Sequence, residues 1–279
     1  MTVSSILIAG CGDVGSQAGL LMNQQGHQVY GLRRNINQLP QGIQGIHCDL
    51  RDPALLSSLP ACDLLLYIAT PAECGEQGYR DAYVNGLQNV LAALPQPPKH
   101  LFFTSSTGVY HQNDHSTVDE QSPTDPERFN GQIMLEAEQL AQQSGIPATS
   151  VRFSGIYGPG RNHLINQVKA GICAPENPIY ISNRIHRDDC AGVLAHLMKR
   201  AIEDQPLAPL YLASDDEPTP IHEVMQWLAQ ELEVTPSEIK VTRMAGSKKC
   251  DNSLLKSTGF TFRYPSYREG YKAILRAGS

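Results

Sequence analysis

Short, mainly apolar runs alternate with stretches of helical spacing through the first half of the chain. Residues 3–9 form one such run, and in residues 13–25 the apolar positions recur every three or four residues. Runs of this kind are typical of strands that are buried on both faces. Because the runs alternate with helical segments, the pattern predicts an α/β fold with a parallel sheet and right-handed crossovers.

The same reading places the further elements along the chain. It predicts strands at 3–9, 27–32, 43–48, 64–69, 100–104 and 148–153, and helices at 13–25, 79–94 and 126–143. The sequence PQPP ends the second helix, and Thr124 or Asp125 is expected to cap the third helix ahead of Pro126. After residue 155 Gly, Pro and Asn cluster and the elements shorten, although a helix at 188–201 and a strand at 210–213 are expected to rejoin the sheet.

Composition excludes several classes of protein. The 279 residues are 41% hydrophobic and 18% charged, which indicates a globular protein, and the net charge of −6 argues against nucleic-acid binding. No apolar run approaches the roughly 20 residues of a membrane span, and the N-terminus does not resemble a secretion signal. The seven cysteines are odd in number and lack CxxC spacing, so a reducing cytoplasm is expected. No ligand spacing predicts a metal site.

A glycine-rich turn, GCGDVG at 10–15, follows the first predicted strand and opens the first helix. In this motif Gly10 allows the tight turn, Gly12 leaves room for a pyrophosphate and Gly15 lets the helix pack closely on the strand. The helix amides and dipole favour the phosphate charge. Cofactor contacts are therefore predicted for Gly10, Cys11, Gly12, Asp13, Val14 and Gly15. The alternative is a turn without a ligand, and Cys11 is either a small packing residue or a reactive thiol.

The ends of the next strands indicate which dinucleotide binds. Arg33 and Arg34 stand where NAD-binding proteins usually carry an acid, and two guanidinium groups suit a 2′-phosphate. NADP is therefore preferred to NAD, the alternative being a solvated basic loop. Asp49 and Leu50 follow the third strand, where an acid can accept from the adenine amine. The segment 69–71 (Ala69, Thr70 and Pro71) follows the fourth strand and is expected to border the dinucleotide.

These features predict a Rossmann fold, a doubly wound parallel sheet, with a smaller C-terminal substrate lobe. The dinucleotide-binding domain is expected to span 1–155, with 186–213 rejoining it, and the lobe to span 156–279. No internal repeat or flexible linker marks the boundary.

Five later segments carry a family resemblance that extends over nearly the whole chain. They are TSSTGVYH (104–111), RFSGIYGPGR (152–161), RIHRDDCAGVL (184–194), ASDDEPTPIHEVMQWLAQEL (213–232) and SLLKSTGFTFRYPSYREGY (253–271). In this order they resemble the extended short-chain dehydrogenase/reductases, also called the NAD-dependent epimerase/dehydratase family. The resemblance implies cofactor contacts at Ser105, Phe153 and Gly155 and a hydroxyl for the reacting oxygen at Thr107. It is also consistent with a homodimer, although the sequence fits a monomer equally well.

Two departures separate the chain from the family pattern. Its glycine turn is AGCGDVG where the family has TGxxGxxG, and its catalytic Tyr-x-x-x-Lys pair is missing. Alignment of FNGQIMLEAEQL (129–140) places Asn130 and Met134 at the Tyr and Lys positions. An amide and a thioether cannot replace a phenolate whose pKa is lowered by an ammonium group. The resemblance therefore implies an atypical active site.

Several side chains are candidates to replace the missing pair. Tyr110 and His186 are candidate catalytic residues beside Thr107, because a phenol or an imidazole can exchange protons. Substrate contacts are predicted for His111, Asn130, Tyr157, Arg161 and Arg187, the arginines being suited to an anionic substrate. Each also has a structural interpretation, as packing aromatics, a structural histidine or strand-end capping groups. The polar loop 112–120, with Asp114 and His115, is expected to be a solvated lid.

Two functional hypotheses remain open at this point. The first is an NAD(P)-dependent oxidoreductase or epimerase that acts on a small sugar-like or carbonyl substrate without the usual pair. The second is a non-catalytic dinucleotide-binding relative that serves as a sensor or scaffold.

Overall fold

The computed structural model describes residues 3–241 and 246–277 and centres on a seven-stranded sheet. The strands of the described residues, in the large sheet and outside it, are β1 (Ser5–Ala9), β2 (Gln28–Arg33), β3 (Gln44–His47), β4 (Leu64–Tyr67), β5 (His100–Ser106), β6 (Thr117–Val118), β7 (Ala148–Phe153), β8 (Gly155–Tyr157), β9 (Ile172–Cys173), β10 (Ile181–Ser182), β11 (Arg184–His186), β12 (Leu210–Ala213), β13 (Thr219–Pro220), β14 (Glu238–Ile239) and β15 (Lys249–Cys250). The sheet order is β12-β7-β5-β4-β1-β2-β3. The predicted Rossmann-type α/β fold is confirmed.

Nine α-helices are found among the described residues. They are α1 (Asp13–Gln24), α2 (Glu76–Arg80), α3 (Gly86–Ala93), α4 (Phe129–Gln142), α5 (His163–Lys169), α6 (Arg187–Ile202), α7 (Ile221–Glu231), α8 (Ser253–Ser257) and α9 (Tyr267–Ala277). Single 3₁₀ turns occur at Ile36–Gln38, Pro53–Leu56 and Thr107–Val109. Within the described ranges, no helix has the length and apolar character needed to cross a membrane.

The chain divides into two compact units. Unit 1 comprises residues 1–109, 125–152 and 190–211, and unit 2 comprises 110–124, 153–189 and 212–279. The predicted dinucleotide domain included 110–124, which groups instead with unit 2.

Unit 1 is held by a parallel sheet whose strands are buried on both faces. Strand β1 pairs in parallel with β2 on one side and with β4 on the other, with Ala9 opposite both Leu32 and Tyr67. The β1 residues from Ile6 to Ala9 and all four residues of β4 are at most 1% exposed. Because the chain builds β2 and β3 on one side of β1 and then crosses to β4, the sheet has a switch point at the ends of β1 and β4. Ligands of open α/β sheets bind in the crevice at such a point.

Most predicted elements of unit 1 are found, with two informative differences. The third predicted helix begins at Phe129, after the extended residue Arg128, and neither Thr124 nor Asp125 caps it. Residues 126–128 therefore lie outside the helix, and the Gln132 side chain donates to the Pro126 carbonyl ahead of the first turn. The predicted helix 79–94 is interrupted as well. Residues Asp81–Asn85 form a π-helical turn between α2 and α3.

The π turn has an identifiable cause. The hydroxyl of Tyr67, at the end of β4, donates to the carbonyl of Ala82 within the turn. A side chain that inserts into the hydrogen-bond ladder of a helix is a recognised cause of local widening. Tyr67 is fully buried, and burial raises the pKa of its phenol, so this donor remains protonated.

Unit 2 is built from short strands and helices around its own core. It contains three parallel two-stranded pairs, β8–β11, β9–β14 and β6–β15, and one antiparallel pair, β10–β13. Helices α5, α7 and α9 contribute to a cluster of buried side chains that includes Val168, Met225, Leu228 and Tyr271. All the buried side chains of this cluster belong to unit 2.

Candidate dinucleotide-binding site

The glycine turn in unit 1 has the geometry that a phosphate-binding turn requires. Gly10 has a φ of +86°, and a Cβ there would lie 2.6 Å from the Ile68 carbonyl oxygen, so only glycine fits. A Cβ at Gly12 would meet only the Gly10 carbonyl oxygen, at 3.8 Å. At Gly15 a Cβ would come within 3.2 Å of Ile8 and Ile68. The roles predicted for the three glycines match these distances.

A cavity of about 300 Å³ opens beside this turn. Of the predicted cofactor residues, it is lined by Gly10, Gly12, Arg33, Arg34, Asp49, Leu50, Ala69 and Thr70. These residues follow the ends of β1 to β4, which is the crevice at the switch point of the sheet. The fold therefore brings together residues that lie up to sixty positions apart in sequence.

The two arginines at the end of β2 differ in what they contact. One Arg33 nitrogen donates to the Cys11 carbonyl oxygen at 3.3 Å, and another donates to the Gln38 side chain. Arg33 thus fastens the glycine turn to β2. Arg34 is exposed and lines the same cavity, and within the described part of the chain no hydrogen bond or ion pair engages its guanidinium. Only Arg34 is therefore available to a ligand without loss of an internal contact.

The carboxylate of Asp49 is held by an arginine that the sequence interpretation missed. Arg51 donates to it from Nε at 3.0 Å and from Nη2 at 2.8 Å. These hydrogen bonds are the main cause that lowers the pKa of Asp49 to about 2, so the group is an anion at neutral pH. A carboxylate accepts about four hydrogen bonds, so Asp49 retains acceptor capacity for an adenine amine.

Other predicted cofactor residues have structural roles. Cys11 is fully buried, burial raises the pKa of its thiol, and a reactive thiol there is not supported. Ser105 is also buried, and its hydroxyl donates to Glu138. Asp13, Val14, Gly15 and Pro71 do not line the cavity. Phe153 and Gly155 belong to unit 2, where Phe153 is buried and Gly155 pairs with Arg184 across two strands.

The cavity also has lining residues that sequence reasoning did not select. They are Leu32, Asn35, Gln38, Cys48, Arg51, Ala72, Glu73, Gly78, Asp81 and Ala82. Six of them lie in the segments after β2, β3 and β4, so the rule that ligands bind beyond the carboxyl ends of parallel strands could have found them. Asp81 and Ala82 lie in the π turn, which the helical spacing did not indicate.

The catalytic positions of unit 1 are Thr107 and the two substituted positions on α4. Thr107 begins the 3₁₀ turn after β5 and is half-buried, as is Asn130 in the first turn of α4. Met134 is 5% exposed. An Asn and a buried Met at spacing i and i+4 share one helix face, but neither can exchange a proton near neutral pH. The roles of Thr107 and Asn130 remain predictions.

One turn beyond Met134, Glu138 forms a buried ion pair. Its carboxylate accepts from Arg152 Nε at 2.9 Å and from Arg152 Nη2 at 2.7 Å, in addition to the Ser105 hydroxyl. The side chains of Arg152 and Glu138 are 7% and 10% exposed. The triad thus ties α4 to β5 and β7 within unit 1.

Tyr110, in unit 2, is not placed as a proton donor. It is 3% exposed, and its hydroxyl donates to the Asp119 carbonyl at 2.7 Å. Its role is therefore packing and anchoring of the loop 112–120. That loop is also not a free lid, because the backbones of His115 and Ser247 are hydrogen bonded at 2.7 Å. His111 is exposed.

His186, also in unit 2, is likewise a structural residue. It is 1% exposed, its Nδ1 accepts from the Asp188 amide at 3.1 Å, and its ring packs on Tyr157 and Tyr264. Burial is the main cause that lowers its pKa to about 4, which leaves the imidazole neutral. An enclosed imidazole with so low a pKa is a weak base that substrate does not reach, so it is poorly suited to the predicted role of general base.

The remaining substrate candidates of unit 2 also have local partners. The Tyr157 hydroxyl donates to the Ser266 carbonyl, and burial raises the pKa of the phenol. Arg187 donates to Asp188 from Nε and Nη2. Arg161 is exposed, at the end of the YGPG turn. Tyr157 is therefore a packing residue, and the substrate role of Arg161 and Arg187 stays a prediction.

Comparison with known proteins identifies the family. The model of the NAD-dependent epimerase/dehydratase family matches residues 6–202. This chain belongs to that family. A solved structure from Methylobacillus flagellatus, described as a candidate NAD-dependent epimerase/dehydratase, is 37% identical with a TM-score of 0.84, and the match covers 99% of each chain.

Two further proteins are similar to this chain at lower identity. A human epimerase family protein solved with NADPH is 18% identical, with a TM-score of 0.79 over 98% of this chain and 99% of that one, a likeness that concerns the fold alone. The chloroplast stem-loop binding protein of 41 kDa b of Arabidopsis thaliana is 26% identical over 208 residues. That match covers 69% of this chain and 54% of the plant protein, so the chain spans about half the length of this curated relative.

Proposed function

We propose that this family member binds NADP, in preference to NAD, in the cavity of unit 1. The observation that carries the proposal is that the glycine turn and the unengaged Arg34 line one cavity. The open space at Gly12 fits a pyrophosphate, and the N-terminus of the 12-residue helix α1 begins there. Asp49 is placed for the adenine and Arg34 for the 2′-phosphate. When bound, such a cofactor supplies hydride transfer.

The cofactor preference is tested by Arg34→Gln. Loss of a charge-assisted contact to the 2′-phosphate is expected to raise the Kd for NADPH about tenfold, with the Kd for NADH nearly unchanged. Isothermal titration calorimetry measures both constants. Arg33→Gln is the matched control, and since Arg33 fastens the turn that both cofactors use, it should weaken both. An equal loss of both cofactors in Arg34→Gln would argue against the assignment.

The phosphate position is tested by Gly12→Val. A Cβ at Gly12 would meet only the Gly10 carbonyl oxygen, at 3.8 Å, and the melting temperature of the variant checks that it is folded. Its side chain is expected to occupy the pyrophosphate space and to raise the Kd for NADPH more than about tenfold, because close backbone approach is lost. Preserved NADPH affinity in the folded variant would place the phosphates elsewhere.

The function best supported is thus dinucleotide binding as a sensor or scaffold, because Tyr110 and His186 are enclosed and Asn130 and Met134 carry no usable proton. A second candidate is an oxidoreductase or epimerase that acts on a sugar-like or carbonyl substrate, and the half-buried hydroxyl of Thr107 favours it.

An activity assay distinguishes the two candidate functions. The protein is incubated with NADPH and a panel of sugar nucleotides, aldehydes and ketones, the cofactor is followed by its absorbance, and products are identified by NMR. Turnover that Thr107→Val abolishes would establish the second candidate.

A further inference from the structure

One guanidinium connects two loops that line the cavity of unit 1. Arg51 and Asp49 lie in the loop after β3, and Glu73 lies in the loop after β4. Arg51 Nη1 is 3.4 Å from Glu73 Oε1, while its Nε and Nη2 donate to Asp49. All three side chains belong to residues that line the cavity.

The two contacts of Arg51 differ in strength. Asp49 accepts two short hydrogen bonds in the forked geometry that suits a guanidinium, and its side chain is 25% exposed. Glu73 offers a single long contact, and its side chain is 76% exposed. Exposed ion pairs contribute little. An incoming anion can therefore displace Glu73 from Nη1 while Asp49 stays bound.

Arg34, at the end of β2, lines the same cavity as Arg51 and Asp49. The positive charge of Arg34 also contributes to the lowered pKa of the Asp49 carboxyl. Arg33 cannot join them without releasing Cys11 and Gln38. A phosphate dianion prefers more than one arginine, and Arg51 offers the second guanidinium on the rim of the cavity.

We propose that Arg51 is a second arginine that binds the 2′-phosphate of NADP, and that Glu73 weakens this binding by competing for Nη1. Glu73 is then a specificity-determining residue, since its carboxylate opposes the phosphorylated cofactor and leaves the unphosphorylated one unaffected. The inference rests on the proposed dinucleotide function. It assigns a further role to two residues that follow β3 and β4.

The test compares 2′,5′-ADP with 5′-AMP, two probes that differ only in the 2′-phosphate. Arg51→Gln is expected to raise the Kd for 2′,5′-ADP about tenfold relative to the Kd for 5′-AMP. Arg51→Lys should have an intermediate effect, because an ammonium group lacks the forked geometry of a guanidinium. Glu73→Gln should lower the Kd for 2′,5′-ADP about threefold and leave 5′-AMP unchanged. Glu76→Gln is the matched control, an exposed carboxylate outside the cavity lining, and should change neither constant.

Two results would overturn the roles proposed for Arg51 and Glu73, and a third, distinguishable result would overturn the proposed dinucleotide binding. If Arg51→Gln weakens both probes equally, Arg51 only positions Asp49, and the inference is wrong while dinucleotide binding stands. If Glu73→Gln behaves as Glu76→Gln does, Glu73 does not compete with the phosphate. If the unmodified protein binds neither probe and neither NADPH nor NADH, the proposed function itself fails.

Discussion

Replacing Glu138 by glutamine is expected to destabilise the protein by about 3–5 kcal/mol, because the change leaves the Arg152 charge buried without its partner. Both side chains are at most 10% exposed, and the carboxylate accepts two hydrogen bonds from the guanidinium and one from Ser105. Urea denaturation followed by circular dichroism measures the free energy of unfolding.

The same helix supplies a matched control. Glu136 also accepts two hydrogen bonds from one arginine, Arg80, but the two side chains are 46% and 37% exposed. Glu136→Gln is expected to cost less than about 1 kcal/mol, since solvent screens the pair. Equal losses in the two variants would mean that burial of the Glu138 pair does not determine its contribution.

The second large effect is a fall in stability with rising pH that originates at Asp215. This carboxyl in unit 2 is 0% exposed, and burial raises its pKa to about 8 even though the Arg184 guanidinium opposes the shift. The other charged or titratable groups that act on it, or on which it acts, are Asp216, Glu217, Tyr157, Tyr271 and Cys250.

The sign follows from proton linkage. The folded protein holds a proton on Asp215 that the unfolded chain releases near pH 4, so stability falls as pH rises until about pH 8. Between pH 6.5 and 8 the loss should reach about 2 kcal/mol. His186, whose pKa is lowered to about 4, gives the opposite slope, which fades as the pH rises above its ordinary pKa of 6.5. Because this contribution is the same in parent and variant, the comparison between them removes it.

Asp215→Asn is the decisive variant, because it keeps the shape and cannot ionise. Urea titrations at pH 6.5, 7.2 and 8 should show a steeper loss of stability in the parent than in the variant. Asp204→Asn is the control, since Asp204 is exposed and is not among the groups that act on Asp215, and it should retain the parental slope. If Asp215→Asn has the same pH dependence of the free energy of unfolding as the parent, Asp215 is already ionised in the folded protein.

Much of unit 1 could be predicted from local patterns, because its strands are continuous apolar runs and its glycine turn has strict steric demands. The 148–153 and 210–213 strands were located to the residue. The predicted start of the third helix and the predicted continuity of the second helix are wrong. The Gln132 side chain contacts the Pro126 carbonyl ahead of α4, and the Tyr67 hydroxyl contacts the π turn from the end of β4. Helical spacing carries no signal for either contact.

For the site, the sequence defines the backbone positions more fully than the roles of the side chains. Gly10 and Gly12 are defined by steric limits that sequence expresses directly. In contrast, Arg33 and Arg34 are chemically identical, and only the structure shows that Arg33 contacts Cys11 and Gln38. Tyr110 and His186 have chemistry suited to catalysis, but burial decides their roles, and burial at short irregular elements such as β11 is not encoded in a periodic pattern.

The π turn has a consequence for comparing this chain with its relatives. A π turn accommodates one residue more than an α-helical path of the same length, so residues before Asp81 and after Asn85 follow two different helical phases. Where a relative continues the α-helix through the positions of 81–85, an alignment that treats 76–93 as one uninterrupted helix is one residue out of step on one side of the turn. The residues it would misassign include Asp81 and Ala82, which line the cavity. When cofactor-binding residues are compared between relatives, the alignment should therefore be fixed at Tyr67, whose hydroxyl contacts the π turn at Ala82.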